Sequence, residues 1–316
     1  MTNFRILFSF LGASALFLSG CQSDMDPDAG AKPRIVATTT MLADMARQIA
    51  GDEAEVIGLM APGVDPHTYE LPARAIGQLN SADLVIYNGL LLEGKMEEVI
   101  EGLSSKGVEV FAAGKILPKD RLVASGEAGH GGDPHIWGDA ELWAEVVDPV
   151  ASAILSILPN PKEKAADLRP RQEAYKKKIL DLHSWIKSRI AEVPEDQRLL
   201  VTSHDAFNYL GRAYGFEVIG IQGISTATEA GMADIVNTVD LVKERGVKAI
   251  FVESSVSSAT IERVAKDAGV KIGGELFSDS CGPAGETKTA HGETYDVGTY
   301  IGMMKHNINT IVDSLK

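Results

Sequence analysis

The sequence predicts an α/β protein with two lobes, each a mainly parallel sheet with covering helices, joined by one long rigid helix. Short runs rich in valine, isoleucine and leucine alternate with stretches of helical periodicity, both before residue 160 and after residue 195. Between these two parts, residues 171–193 carry apolar side chains at steps of three and four, which is typical of one face of a helix. A chain of 316 residues is also long enough for two domains.

The first lobe is predicted over residues 34–160. Its predicted strands cover residues 34–39, 54–60, 83–87 and 108–112. Its predicted helices cover residues 41–50, 73–80, 95–103 and 139–158. Strands that alternate with helices along the chain favour a parallel sheet, because a connecting helix returns the chain to the start of the next strand.

A linking helix is predicted over residues 161–194, with its long uninterrupted part at residues 171–193. Its apolar stripe consists of Tyr175, Ile179, Leu182, Ile186, Ile190 and Val193. Pro170 fits the first turn of this helix and Pro194 fits its end. These roughly 23 residues would span about 35 Å at about 1.5 Å per residue, which is enough to join two lobes.

The second lobe is predicted over residues 195–316, where the alternation begins again. Its predicted strands cover residues 198–202, 216–221, 248–252 and 270–276. Its predicted helices cover residues 206–214, 230–245, 257–268 and 295–314. The order of strands and helices echoes that of the first lobe, although the two lobes show no convincing sequence repeat.

The first twenty residues have the form of a secretory signal, since Arg5 is their only charged residue and an apolar run follows it. The run ends in Leu-Ser-Gly-Cys, which resembles the lipobox of bacterial lipoproteins. We therefore expect residues 1–21 to be a lipoprotein signal, Cys21 to carry a lipid that anchors the protein to a membrane, and residues 22–33 to be a polar tether. An ordinary signal peptide with a coincidental cysteine is the alternative. Either way the protein is expected outside the cytoplasm, in the periplasm or on the outer face of the cell membrane.

The formal net charge of −14 argues against nucleic acid as a partner, because binding DNA or RNA needs an electropositive face. An acidic protein can attract cations, or its charge can simply keep it soluble. The two cysteines, Cys21 and Cys281, cannot form an intrachain disulfide if Cys21 carries lipid. Cys281 lies two residues from Asp279, so a metal-binding thiolate and a buried structural thiol are both considered for it.

Three candidate metal ligands follow predicted strands of the two sheets. His67 follows the strand at 54–60, His204 the strand at 198–202 and Asp279 the strand at 270–276. In open α/β sheets, ligands bind beyond the carboxyl ends of the strands, so these side chains are expected at the same edge of their sheets. Motifs for phosphate-binding loops, dinucleotide binding, nucleophile elbows and HExxH metalloproteases do not occur in the sequence.

The tripeptide Asp-Pro-His occurs twice, at residues 65–67 and 133–135, and nominates His135 as a fourth ligand. Proline restricts the backbone on both sides and gives a loop histidine a fixed direction. The aspartates Asp65, Asp133 and Asp205 could each accept the second imidazole proton of the adjacent histidine and fix its tautomer. Each histidine alone fits a structural role as well, but the four groups together favour a metal site.

These motifs are part of a wider resemblance to a known family, which covers residues 34–316. The chain resembles the metal-binding substrate receptors of bacterial ABC transporters for zinc and manganese, the periplasmic solute-binding proteins of the cluster A-I family. The matching segments are PGVDPHTYE, DPHIW, VTSHDAFNYLGRAYG, GGELFSDS and the closing YIGMMKHNINTIV. The resemblance implies that His67 and His135 from the first lobe, with His204 and Asp279 from the second, bind one divalent ion in the cleft. It also implies that the protein is not an enzyme but delivers this ion to a membrane permease.

The identity of the ion is predicted less directly. Three imidazoles and a carboxylate suit zinc, and manganese receptors of this family often have a glutamate at the position of His204. Zinc-specific members often carry a histidine-rich loop, whereas residues 114–132 contain only His130. We expect Zn²⁺ first and Mn²⁺ second, with iron or a mixed role remaining. The rival functions are a metal-dependent surface adhesin and a metallohydrolase, which would need an open metal position and a general base.

Overall fold

The computed structural model describes residue 1 and residues 32–126 and 131–316. The expected signal segment, Cys21 and most of the tether lie outside these residues. Within the described part of the chain, none of the helices is both long enough and apolar enough to cross a membrane.

The first lobe is built on a four-stranded parallel sheet in the order β2-β1-β3-β4. Its strands are β1 Arg34–Ala37, β2 Glu55–Gly58, β3 Leu84–Tyr87 and β4 Glu109–Ala112. Its helices are α1 Thr40–Ala50, α2 Ala73–Asn80, α3 Met96–Gly102 and α4 Ala140–Ile157. Each of these elements lies within a few residues of its predicted position. The alternation of strand and helix therefore predicted this sheet correctly.

Helices cover both faces of this sheet, which explains why its central strands β1 and β3 are apolar except for Arg34 at the start of β1. Successive side chains of a strand point to opposite faces. Ile35 and Ile86 accordingly pack with α1 and α4 in one core, whereas Val36 and Val85 pack with α2 and α3 in another. The first residue of α1 and the loop that follows β2 reach the second lobe, to which each is joined by a hydrogen bond.

The linking helix, α5 Pro161–Ile190, has 30 residues and is about 45 Å long at about 1.5 Å per residue. The predicted start near Pro170 was wrong. The helix begins at Pro161, and Pro170 lies inside it. Before this proline, Leu168 is buried in the core that α4 also lines, and such tertiary contacts carry the helix past the proline. The predicted apolar stripe is confirmed, because every one of its members is buried.

The second lobe repeats this architecture. Its strands are β5 Leu199–Thr202, β6 Glu217–Gly220, β7 Ala249–Glu253 and β8 Lys271–Leu276. Strand β5 pairs with β6 and strand β7 with β8, both in parallel, while β5 also contacts β7. The second lobe thus has two parallel strand pairs, β6-β5 and β7-β8, which lie side by side through the contact between β5 and β7. Helices α6 Asn208–Tyr214, α7 Met232–Glu244 and α8 Ala259–Ala268 connect the strands.

The last predicted helix began too early. Residues Thr287–Ala290 and Glu293–Asp296 form an antiparallel hairpin, β9 and β10, and α9 runs from Tyr300 to Leu315. The turn residues His291 and Gly292 both have positive φ, at 53° and 78°, as a tight hairpin turn requires. The side chain of Thr299 accepts the backbone N–H of Gly302 and so fixes the true start of α9.

Residues Lys32–Lys316 form one compact unit. The helix α5 contacts α1 and α4 of the first lobe and α6 and α9 of the second, which explains this continuity. The division at residues 160 and 195 therefore stays a prediction about how the unit is organised, and "lobe" is used below for the parts before and after α5.

Candidate metal centre

Four side chains converge where the two lobes meet. One ligand atom from each of His67, His135, His204 and Asp279 lies within 4.8 Å of all the others. The Nε2 atoms of His67 and His135 are 3.3 Å apart. Asp279 places Oδ1 3.4 Å from Nε2 of His135 and Oδ2 3.3 Å from Nε2 of His204. The structure thus brings together all four residues that the sequence nominated.

The parallel sheets explain how these residues meet. His67 follows β2, His204 follows β5 and Asp279 follows β8, so each lies beyond the carboxyl end of a parallel strand. The loop of His135 could not be placed in this way from the sequence. It is tied to the end of β3, because the side-chain amide of Asn88 donates a hydrogen bond of 2.9 Å to the carbonyl of Pro134.

His135 is gripped by the aspartate of its own tripeptide. Oδ1 of Asp133 accepts the backbone N–H of His135 at 2.9 Å and lies 2.8 Å from its Nδ1. Both side chains are fully buried. A carboxylate on Nδ1 keeps the proton on that nitrogen and directs the lone pair of Nε2 toward Asp279 and His67. Asp133 therefore occupies the position that the sequence suggested for it.

His204 is gripped by a residue that the sequence did not reveal, Glu253. Oε1 of Glu253 accepts the backbone N–H of His204 at 2.9 Å, and Oε2 lies 2.5 Å from its Nδ1. Glu253 is the last residue of β7, which lies beside β5. Asp205, which the sequence proposed for this contact, hydrogen-bonds Asn208 instead. The signal available in the sequence was an acidic residue at the end of the apolar strand AIFVE.

Asp65 organises the loop of His67 through the backbone. Its Oδ1 accepts the backbone N–H of His67 at 2.9 Å. Its Oδ2 accepts the hydroxyls of Thr68 at 2.9 Å and Thr226 at 2.5 Å. His67 is 8% exposed, whereas His135 and His204 are 0% exposed, so His67 is the candidate ligand nearest to solvent.

The loop of Asp279 is fastened on several sides. The hydroxyl of Ser255 donates to Oδ2 of Asp279 at 2.9 Å. The indole N–H of Trp137 donates to the carbonyl of Ser278 at 2.9 Å, and Ser280 accepts the backbone N–H of Gly63 at 2.8 Å. Cys281 does not join the four converging ligand atoms. Its thiol is fully buried, and burial raises its pKa, which fits a structural thiol.

The charges of the site compensate one another. Burial opposes the charged form of His135, but the carboxylates of Asp133 and Asp279 outweigh it and raise the pKa of His135 to about 9. Burial likewise acts against the charged form of His204, and Glu253 and Asp279 hold its pKa well above the usual range. Burial would raise the pKa of Asp279, yet the two histidines lower it well below its usual value. The site is thus built to hold positive charge next to Asp279.

The four candidate ligand atoms lie close enough together for one ion to contact them all. Three contacts of 3.3, 3.4 and 3.3 Å connect the four residues, with Oδ1 of Asp279 near His135 and Oδ2 near His204. One ligand atom from each residue lies within 4.8 Å of the others. Three imidazole nitrogens and one carboxylate oxygen are ligands that zinc prefers. The chemistry of the donor set therefore fits zinc.

Comparison with known proteins gives a consistent picture. The profile of the family described as "ZnuA: Zinc-uptake complex component A periplasmic" matches residues 35–314. The manganese-binding lipoprotein MntA of Bacillus subtilis is 41% identical over 316 residues, covering 97% of this chain and 99% of that protein. The zinc-binding protein TroA of Treponema pallidum is 40% identical over 295 residues, covering 92% of this chain and 91% of that protein.

Two further similarities extend this picture. The metal ABC transporter substrate-binding lipoprotein FimA of Streptococcus parasanguinis is 30% identical over 306 residues, covering 94% of each chain. The solved structure of the periplasmic zinc-binding protein TroA from Treponema pallidum superposes with a TM-score of 0.83 at 39% identity. That superposition covers 90% of this chain and 99% of the TroA chain, so the similarity includes both lobes and the linking helix.

Proposed function

The chain belongs to the family of periplasmic zinc-uptake component A proteins, and on that premise we propose that His67, His135, His204 and Asp279 hold one divalent metal ion as cargo. The protein is a substrate-binding receptor of ABC-transporter type and not an enzyme. The observation that carries the proposal is the convergence of these four buried ligand atoms within 4.8 Å. In this proposal two ligands come from the lobe before α5 and two from the lobe after it.

A closed set of four protein ligands favours capture over catalysis. Hydrolytic zinc sites keep one position open for water, whereas structural and carrier sites fill all four. Glu253, the carboxylate that could otherwise act as a general base nearby, is held on the backbone and ring of His204. These contacts support the receptor function and argue against the metallohydrolase alternative.

We propose zinc as the preferred ion and manganese as the second. Zinc is favoured by the donor set of three imidazole nitrogens and one carboxylate. Raw affinity also favours zinc over manganese at a site of this composition. The relatives are named for both metals, MntA for manganese and TroA for zinc.

Delivery of the ion needs a membrane partner, and we propose that this is the permease of an ABC transporter. FimA is named as a metal ABC transporter substrate-binding lipoprotein, which supports both the permease and a lipid anchor. For this chain, the proposed anchor is Cys21 in its lipobox-like sequence. Such an anchor would keep the receptor at the outer surface of a membrane, close to its permease.

The proposed function is tested by titrating purified, metal-stripped protein lacking residues 1–21 with Zn²⁺ and Mn²⁺ while following tryptophan fluorescence. Trp137 is a suitable reporter, because its ring centroid lies 5.4 Å from that of His135. We expect tight one-to-one binding of zinc, which His204→Ala abolishes.

The matched control is His183→Ala, which removes a histidine on α5 whose Nδ1 contacts the hydroxyl of Tyr214, away from the four ligands. It should bind zinc as tightly as the unaltered protein. Absence of binding of either ion by the unaltered protein, or full binding by His204→Ala, would refute the four-ligand site.

A further inference from the structure

Asp133, whose carboxylate hydrogen-bonds His135, is itself hydrogen-bonded by residues of the second lobe. Oδ2 of Asp133 accepts a hydrogen bond of 3.0 Å from the side-chain amide of Asn208. The backbone carbonyl of Asp133 accepts a further hydrogen bond of 2.8 Å from the hydroxyl of Tyr209. Asn208 and Tyr209 are the first two residues of α6, in the second lobe. The orientation of His135 in the first lobe therefore depends on contacts made by the second.

The same arrangement recurs at His67. Asp65, whose Oδ1 holds the backbone N–H of His67, accepts the hydroxyl of Thr226 on Oδ2 at 2.5 Å. Thr226 lies in the loop between β6 and α7, again in the second lobe. Asn208 and Thr226 thus approach the two first-lobe ligands through an intervening aspartate.

We propose that Asn208 and Thr226 are positioning residues, which hold the two first-lobe histidines in their ligating orientation from across the lobe interface. This inference rests on the proposed function. Its consequence is that the ligand set is complete only when the lobes are together. Lobe separation withdraws both donors, frees the carboxylates of Asp65 and Asp133, and loosens the histidines that those carboxylates orient.

The physical reason lies in the two oxygens of a buried carboxylate. Asp133 is fully buried, so each of its oxygens needs a donor from the protein. Oδ1 is engaged with His135, and Asn208 supplies the donor for Oδ2. Without Asn208, Oδ2 must find another donor or turn toward water, and a turn of the carboxylate carries Oδ1 away from Nδ1 of His135.

The loop of Asp279 shows the reciprocal dependence. This second-lobe ligand is flanked by contacts to the first lobe, from Trp137 to the carbonyl of Ser278 and from the backbone of Gly63 to Ser280. The backbone N–H of Cys281 donates to Thr40 of α1 at 2.7 Å. Each lobe therefore steadies ligands of the other, and an ion that leaves must wait for several cross-lobe hydrogen bonds to open together.

The proposal is tested by a double-mutant cycle on metal dissociation, measured by stopped-flow transfer of Zn²⁺ from the protein lacking residues 1–21 to a chelator. Asn208→Ala and Asp133→Asn should each raise the dissociation rate about tenfold, the lower end of the range for residues that support metal ligands. The double variant should dissociate no faster than Asp133→Asn alone, because Asn208 acts through Asp133. Multiplied effects in the double variant, or an unchanged rate in Asn208→Ala, would overturn the proposal.

The matched control is Asn80→Ala, which removes an exposed asparagine that hydrogen-bonds the carbonyl of Ile76 and the ammonium of Lys106 and is not among the contacts of the four ligands. Its dissociation rate should equal that of the unaltered protein. A second readout is the ¹⁵N chemical shift of the His135 ring in zinc-loaded protein. A purely structural role for Asn208 would leave this shift unchanged, whereas a positioning role moves it.

Thr226→Val provides an independent arm if Asn208→Ala fails to fold. It should raise the dissociation rate by less than Asn208→Ala, because Asp65 reaches His67 through the backbone, and it should have no effect when added to Asp65→Asn. The control Thr289→Val removes a hydroxyl that bonds Thr294 within the hairpin and should leave the rate unchanged. Failure of the unaltered protein to bind zinc would reject the proposed function, whereas normal zinc binding with independent effects would reject only the positioning role.

Discussion

Each of the two fully buried histidines of the site is contacted at its backbone N–H and Nδ1 by one carboxylate. The two carboxylates come from different parts of the chain. Asp133 holds the backbone N–H and Nδ1 of His135 from two residues away in the same loop. Glu253 holds the same two groups of His204 from the end of a neighbouring strand, 49 residues further along the chain. The contacts of Asp133 form when a single loop folds, whereas those of Glu253 require β5 and β7 to lie side by side. The orientation of the ligands thus depends on local structure in one lobe and on the sheet in the other.

The two carboxylates shift the pKa of their histidines in the same direction. The pKa of His135 is raised to about 9, and that of His204 is held well above its usual range. In both cases burial works against the charged imidazole, and the carboxylates beside it outweigh burial. Asp133 and Glu253 are therefore both expected to contribute to the affinity for a cation.

The largest expected effect is that of pH on zinc affinity. A metal ion replaces the proton on Nε2, so a histidine whose pKa is raised must lose a proton before it binds. Affinity should therefore rise by up to about tenfold per pH unit for each proton released, and continue to rise up to pH 9. Asp279, whose pKa is lowered, stays ionised over this range and adds no pH dependence. Chelator competition between pH 6 and 9 measures this slope.

Two outcomes would contradict the conclusion that Asp133 and Glu253 raise the pKa values of their histidines. An affinity that levels off above pH 6.5, the usual imidazole value, would mean that neither carboxylate raises the pKa of its histidine. A shallower rise between pH 7 and 9 in Asp133→Asn than in the unaltered protein would instead support it, because the variant removes the carboxylate that raises the pKa of His135 and leaves the raised pKa of His204 in place. An Asp133→Asn profile identical to that of the unaltered protein is the second contradicting outcome. Thr289→Val, altered only in the hairpin, should follow the unaltered protein at every pH.

A smaller effect is expected from removing each carboxylate's charge separately. Glu253→Gln and Asp133→Asn should each weaken zinc binding by at least about tenfold, within the usual range for residues that support metal ligands. The loss follows because each carboxylate accepts the backbone N–H of its histidine and lies beside the Nδ1 atom of the ring. Isothermal titration with a competing chelator gives both constants. Unchanged zinc binding in either variant would show that its carboxylate does not support the ligand.

Whether a contact is local or joins distant parts of the chain also decides whether the sequence could predict it. His67, His204 and Asp279 were predicted because residues that follow parallel strands gather at one edge of a sheet. Asp133 could be predicted because the rigid Asp-Pro-His tripeptide holds acid and imidazole close together. The contact of Glu253 with His204 could not be predicted, because it depends on β5 and β7 being neighbours. The local sequence pattern predicts strands but not the order in which they lie. Metal binding by the four ligands stays a prediction.

The errors in the fold have a similar cause. Pro170 fits the start of a helix by local rules, but packing of the preceding residues on α4 extends α5 back to Pro161. Residues 287–296 were overlooked because the hairpin is short, polar and exposed, although the His-Gly turn was a usable signal. Where apolar periodicity was strong, as in β1, β3 and the stripe of α5, the predicted positions were right within a few residues.

The buried stripe of α5 has a consequence for how the protein melts. One apolar core runs from α1 and α4 across α5 to α6 and α9. Unfolding of either half alone would leave one side of that core open to water, so intermediates with a single molten half are disfavoured. We expect scanning calorimetry to show one heat-absorption peak, which zinc shifts upward as a whole. Two resolved peaks would show that the halves melt independently, and that the long helix is a tether between them and not a shared foundation.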